Sequence, residues 1–211
     1  MSAGREPGMR IGDLSPPLPS PSRGEGNVRL RAPIKETVLT DHSETTLTVN
    51  GTTIKLMRGG SGPTLLFLHG ASGAGAWLPF MDRLAERFDL IVPEHPGFGT
   101  SDDPDWLDDI HDMAYFYLDV MRELDLKDVH LAGLSLGGWI AAEVAVRSTA
   151  RLASLTLIAA AGIHVDGAEK VDNFLADPEA RIRNMFVDQS LADAMIERVL
   201  KPELEDVGLK N

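Results

Sequence analysis

Thr64–Leu68 reads TLLFL, five residues without a charge or a break, and the glycine-rich stretch His69-Gly70-Ala71-Ser72-Gly73 follows at once. A strand apolar along its whole length has to be buried on both faces, as happens where helices cover both sides of a parallel sheet. Further short apolar runs follow at Leu90–Val92, Val129–Ala132 and Leu152–Ala159. Between them lie segments of helical period. Trp77–Phe88 carries Phe80, Leu84 and Phe88 on one face, Asp109–Leu124 carries Met113, Phe116, Val120 and Leu124, and Leu136–Arg147 is helical throughout. This β-α-β-α-β-α-β order predicts an α/β fold with a doubly wound, mostly parallel sheet. Ahead of it, Lys35–Thr40 and Thr45–Asn50 favour strands, and Asn50-Gly51 predicts a tight hairpin turn into Thr52–Met57.

Three regions follow from this pattern. Residues 1–33, rich in Pro, Ser, Gly and Arg, have too few periodic apolar residues to offset their ordering entropy and are expected to be disordered. Their PPLPSP segment could serve as a proline-rich ligand, although Pro/Ser tails are common without that role. Residues 34–162 form the α/β core. In residues 163–211 the strands stop, and Asp172–Leu200 reads as two charged helical pieces, the beginning of a lid.

The chemistry concentrates where Val129–Ala132 ends. Gly133, Ser135 and Gly137 make a G-x-S-x-G at a strand-to-helix junction, in the stretch HLAGLSLGGW. A sharp turn there lifts the serine hydroxyl above the carboxyl end of the strand, the side on which open α/β sheets bind ligands. The following helix directs its positive end at any oxyanion forming on a carbonyl attacked by Ser135. An oxyanion hole takes two backbone N–H groups. Leu136 is expected to supply one and the HGASG loop the other, with Ala71 the first candidate and Ser72 the second.

Taken together, strand–HGASG, the loop PEHPGFGTSDDP and strand–GLSLGGW resemble the α/β-hydrolase superfamily over roughly residues 45 to 162. The likeness is to its bacterial esterase, lipase and carbon–carbon bond hydrolase members. It implies Ser135 as nucleophile, Ala71 and Leu136 as oxyanion donors, and neither metal nor organic cofactor. Branches that place aspartate at the nucleophile position, haloalkane dehalogenases and epoxide hydrolases, are disfavoured by the serine.

The resemblance also implies an acid and then a histidine, both C-terminal to the serine and after further strands. Of six histidines only His164 follows Ser135, and its place just after Leu152–Ala159 suits a lid or rim residue better than the base. His69 reads as a brace for the oxyanion loop, and His42, His95, His111 and His130 as surface or packing residues. Some relatives place the acid after the strand corresponding to Leu152–Ala159, and Asp166 is the carboxylate near that point; Glu143, two turns into the helix after the serine, is expected to face away, and Asp102 follows a loop pattern that is usually structural. The expectation is a fragment carrying six strands and part of a lid, without the last two strands that would bring the acid and the base. Phe98, Trp139 and the 163–200 helices are candidates to line an apolar acyl site, and equally suit ordinary core packing.

Composition narrows the remaining choices. With 20 Lys+Arg against 32 Asp+Glu, the formal charge of −12 leaves no basic stripe to neutralise nucleic acid. The absence of cysteine removes disulfides, a thiol nucleophile and thiolate metal sites. No apolar run reaches signal-peptide or membrane-spanning length, so a cytoplasmic location is expected, with a small ester or other carbonyl compound as partner and no membrane or nucleic acid. The competing reading is a non-catalytic module of the same fold that binds a small molecule or a partner.

Overall fold

The computed structural model describes residues 41–164, 166–167 and 175–200. The expected strand at Lys35–Thr40, the disorder of residues 1–33 and the end of the chain lie outside them. The described elements run β1 (His42–Val49), β2 (Thr52–Gly59), β3 (Thr64–Leu68), α1 (Pro79–Ala85), β4 (Asp89–Pro93), α2 (Ile110–Glu123), β5 (Val129–Leu134), α3 (Leu136–Arg147), β6 (Leu152–Ile158), α4 (Pro178–Asn184) and α5 (Gln189–Leu200).

The strands form one mixed sheet in the order β1-β2-β4-β3-β5-β6. β1 and β2 are antiparallel and joined by the two-residue Asn50-Gly51 turn, whose φ angles of 51° and 82° suit the right-handed strand twist. β2 also runs antiparallel to β4, whereas β4, β3, β5 and β6 are mutually parallel. The sheet is therefore doubly wound and parallel where the chemistry lies.

Alternation along the central strands explains two cores on opposite faces. Leu66 and Leu68 of β3 and Ile91 of β4 point to one face, where Met113, Phe116, Tyr117 and Val120 of α2 and Ile140 and Val144 of α3 cover them. Leu65 and Phe67 of β3, with Leu90 and Val92 of β4, point to the other, against Met81 and Ala85 of α1. Asp109 starts α2 by accepting hydrogen bonds from the His111 and Asp112 N–H groups, at 2.6 and 3.1 Å.

Two elements differ from the sequence pattern. α1 begins at Pro79 rather than Trp77, because the Trp77 ring stacks on His42 and its indole N–H donates to buried Asp82 at 2.8 Å. β6, an apolar run like β3, lies at the sheet edge with Leu155, Leu157 and Ile158 all exposed. α4 and α5 are held by a small cluster of their own, Ile182, Ala192 and Ile196.

Candidate active site

Ser135 stands between β5 and α3 with φ 52° and ψ −113°, in the left-handed region that side chains rarely adopt. Backbone bonds hold it there: its N–H donates to the Ile158 carbonyl at 2.9 Å, and its carbonyl accepts from the N–H groups of Trp139 and Ala161. The turn closes only because its neighbours lack side chains. A Cβ on Gly133 would stand 2.1 Å from the Gly137 carbonyl oxygen, and one on Gly137 would stand 2.1 Å from the Leu68 carbonyl oxygen. β5, α3 and the end of β3 are thus pressed together under a half-buried serine.

The loop after β3 lies against it. A Cβ built on Gly70 would be 3.4 Å from Ser135 Cβ, so the Gly70–Ala71 peptide borders the serine. Among the described residues, none accepts a hydrogen bond from the N–H of Ala71 or Leu136. Both groups stay available for a ligand oxygen.

Behind this loop sits a buried polar cluster. The rings of His69 and His95 stack with centroids 3.7 Å apart, and Phe98 meets both edge-on. The His95 N–H donates to His69 Nε2 at 2.9 Å, and His95 Nε2 lies 2.9 Å from the His69 carbonyl oxygen. His95 Nδ1 meets the Tyr117 hydroxyl, and His69 Nδ1 lies 2.7 Å from the Gly70 carbonyl oxygen. Burial lowers the pKa of His69, and pushes that of His95 down to about 3 with help from its neighbour His69. Burial likewise raises that of Tyr117 well above the ordinary tyrosine range.

The carboxylates considered in the sequence are placed elsewhere. Asp102 pins the PGFGTSDD loop to β2, accepting from the Thr53 N–H at 2.7 Å and donating its own N–H to the Thr53 carbonyl at 2.8 Å. Glu143 lies 3.4 Å from His111 of α2, and Arg147, one turn on in α3 itself and 2.6 Å away, holds its carboxyl below the usual range. His164 Nε2 pairs with Asp166 Oδ1 at 3.0 Å, both side chains exposed. Among the described residues, none hydrogen-bonds to the Ser135 hydroxyl.

Ala71 also borders a cavity of about 450 Å³ whose other walls are Pro178, Arg181, Ile182, Met185, Met195, Val199 and Leu200, all from the 163–200 region. Of the two places open to Phe98 and Trp139, pocket lining or packing, they take the second: Phe98 packs on the two histidines and Trp139 lies beneath Gly162. The histidine–tyrosine cluster was not legible from sequence beyond His69, since Tyr117 and His95 come from a helix and a loop with no shared motif. Among the described residues, no helix is long and apolar enough to cross a membrane.

Comparison with known proteins adds to this geometry. A family model described as alpha/beta hydrolase fold matches residues 63–205. The dihydrolipoyllysine-residue acetyltransferase component of the acetoin cleaving system of Cupriavidus necator is 33% identical over 116 residues, 54% of this chain and 31% of that protein. A bacterial membrane phospholipase A superposes with a TM-score of 0.54 at 35% identity, over 60% of this chain and 42% of its own. E-2-(acetamidomethylene)succinate hydrolase superposes with a TM-score of 0.53 at 25% identity, over 68% and 52%. The chain spans less than half the length of the curated relatives it matches.

Proposed function

Starting from the chain's membership of the α/β-hydrolase fold family, we propose that it carries the nucleophile and oxyanion hole of a serine hydrolase acting on an ester or similar carbonyl compound. Ser135 Oγ attacks the carbonyl carbon and passes its proton to a histidine. The carbonyl oxygen becomes an oxyanion held by the N–H groups of Ala71 and Leu136. Collapse of the tetrahedral intermediate expels the alcohol, which takes that proton and leaves an acyl-serine for water to hydrolyse. The observation that carries this reading is the left-handed serine at a strand–helix turn, bordered by two N–H groups that no described residue occupies. The cavity beside Ala71, walled mainly by Ile, Met, Val and Leu, suits an apolar acyl group.

In this reading the base and the acid lie outside residues 1–211, in keeping with the greater length of the relatives. A second reading rests on the His164–Asp166 pair, which joins an imidazole to a carboxylate just after β6. Turnover of a short p-nitrophenyl ester by the 211-residue chain separates the two. The first expects no more than slow release of p-nitrophenol. The second expects steady turnover that Ser135→Ala and His164→Ala each abolish. Binding of an ester analogue without turnover, even by a longer gene product, would instead favour the non-catalytic module.

A further inference from the structure

The hydrogen bonds around His69 and His95 leave one assignment of protons. A backbone N–H only donates, so His69 Nε2, which receives the His95 N–H, carries no proton. A neutral His69 is then protonated at Nδ1 and donates to the Gly70 carbonyl oxygen. A carbonyl only accepts, so His95 Nε2 carries the proton it shares with the His69 carbonyl. That leaves His95 Nδ1 as the acceptor of the Tyr117 hydroxyl. All three side chains are buried, so the neutral forms on which the assignment depends are the ones burial favours.

The order runs in one direction, from Tyr117 through His95 and His69 to the Gly70 carbonyl, which also accepts from the Gly73 N–H at 3.1 Å. In a trans peptide the carbonyl of Gly70 and the N–H of Ala71 point opposite ways from one rigid plane. Holding the Gly70 oxygen on the inner side therefore turns the Ala71 N–H outwards, and Gly70 borders Ser135. We infer that Tyr117, His95 and His69 are positioning residues that set the Gly70–Ala71 peptide plane, so that core helix α2 determines the aim of one oxyanion donor. This inference rests on the reading of Ala71 as a donor. It adds a specific device: the donor is aimed from behind by side chains that never touch substrate. Such preorganisation matters because an N–H held in place before the oxyanion forms needs no reorganisation in the transition state.

The test uses the 211-residue chain in solution at neutral pH. Nitrogen-15 spectra of the histidine rings are expected to place the proton of His69 on Nδ1, the minor tautomer of free imidazole side chains, and that of His95 on Nε2. His69→Phe keeps a ring in the stack but removes both of its bonds. It is expected to move the Ala71 amide resonance while leaving that of Leu136 in place, and to slow covalent modification of Ser135 by a fluorophosphonate at least ~10-fold, approaching the ~10²–10³-fold cost of losing an oxyanion donor outright. Tyr117→Phe, which retains the buried ring, is expected to move the Ala71 resonance in the same direction by less. A His69 proton on Nε2, equal movement of Ala71 and Leu136, or equal modification rates would each overturn the inference. Failure of the unaltered chain to react at all would strike at the serine reading instead, and the tautomers and the Ala71–Leu136 contrast would still decide the relay.

Discussion

On the β3–β4 side of Ser135, His69, His95 and Tyr117 are 3%, 0% and 0% exposed and every ring nitrogen has a partner; on the β6 side, Leu155, Leu157 and Ile158 are 40%, 38% and 42% exposed. Both sides derive from apolar strands of similar length and composition. The difference lies in what covers them. β3 is flanked by β4 and β5 and capped by helices on both faces, so its polar neighbours must satisfy one another inside the protein. Among the described residues β6 pairs with β5 alone, and its Leu155 and Leu157 keep much of their apolar area in water. Half of the candidate site is thus enclosed by packed elements and internal hydrogen bonds, and the half nearer β6 and the α4–α5 pair is not enclosed in the same way.

Substitutions can break this contrast, beginning with the most damaging. Gly137→Val should prevent folding or cost more than about 4 kcal/mol, because even its Cβ would meet the Leu68 carbonyl oxygen at 2.1 Å and backbone cannot give way there. Urea denaturation measures it, and a variant of near-normal stability would mean that α3 does not press on β3. Acid should act next. The pKa of His95 is lowered from 6.5 to about 3 in the folded protein, so the unfolded chain binds its proton first as pH falls. The contribution of neutral His95 is therefore complete above pH 6.5 and is lost as pH falls towards about 3, with a ceiling on the order of 4–5 kcal/mol. The lowered pKa of His69 acts in the same direction. Urea midpoints from pH 7 to pH 4 should fall steadily, and a flat profile would show that the pair is not buried neutral.

A matched pair of truncations sharpens the comparison further. Leu66→Ala, at a wholly buried site between β4 and β5, is expected to cost about 2–5 kcal/mol. Leu157→Ala on β6 should cost less than about 1 kcal/mol, because that side chain already has access to water. Similar losses at both positions, read from urea midpoints, would mean that β6 is buried in solution by another surface.

The same contrast separates what the sequence disclosed from what it concealed. α3 and β3 are found at Leu136–Arg147 and Thr64–Leu68, as their periodicity indicated, because both lie inside the core where pattern and burial coincide. The serine's turn was legible because tight backbone packing demands glycine at fixed offsets. β6 reads like β3 in sequence, and only its place at the sheet edge distinguishes them. The relay was hidden for a different reason: His69, His95 and Tyr117 meet through tertiary packing alone, with no spacing to betray them. Phe98 shows the same limit: an aromatic next to a glycine-rich loop suits pocket or packing equally in sequence, and the fold places it on those histidines.

The central claim, that Ser135 is a nucleophile supported by two waiting N–H groups, is tested most directly by where a fluorophosphonate forms its bond. After prolonged exposure of the chain to excess reagent, mass spectrometry of proteolytic peptides should find the phosphonyl adduct on Ser135 alone, and Ser135→Ala should carry none. An adduct on another serine, or equal modification of the unaltered chain and Ser135→Ala, would contradict it.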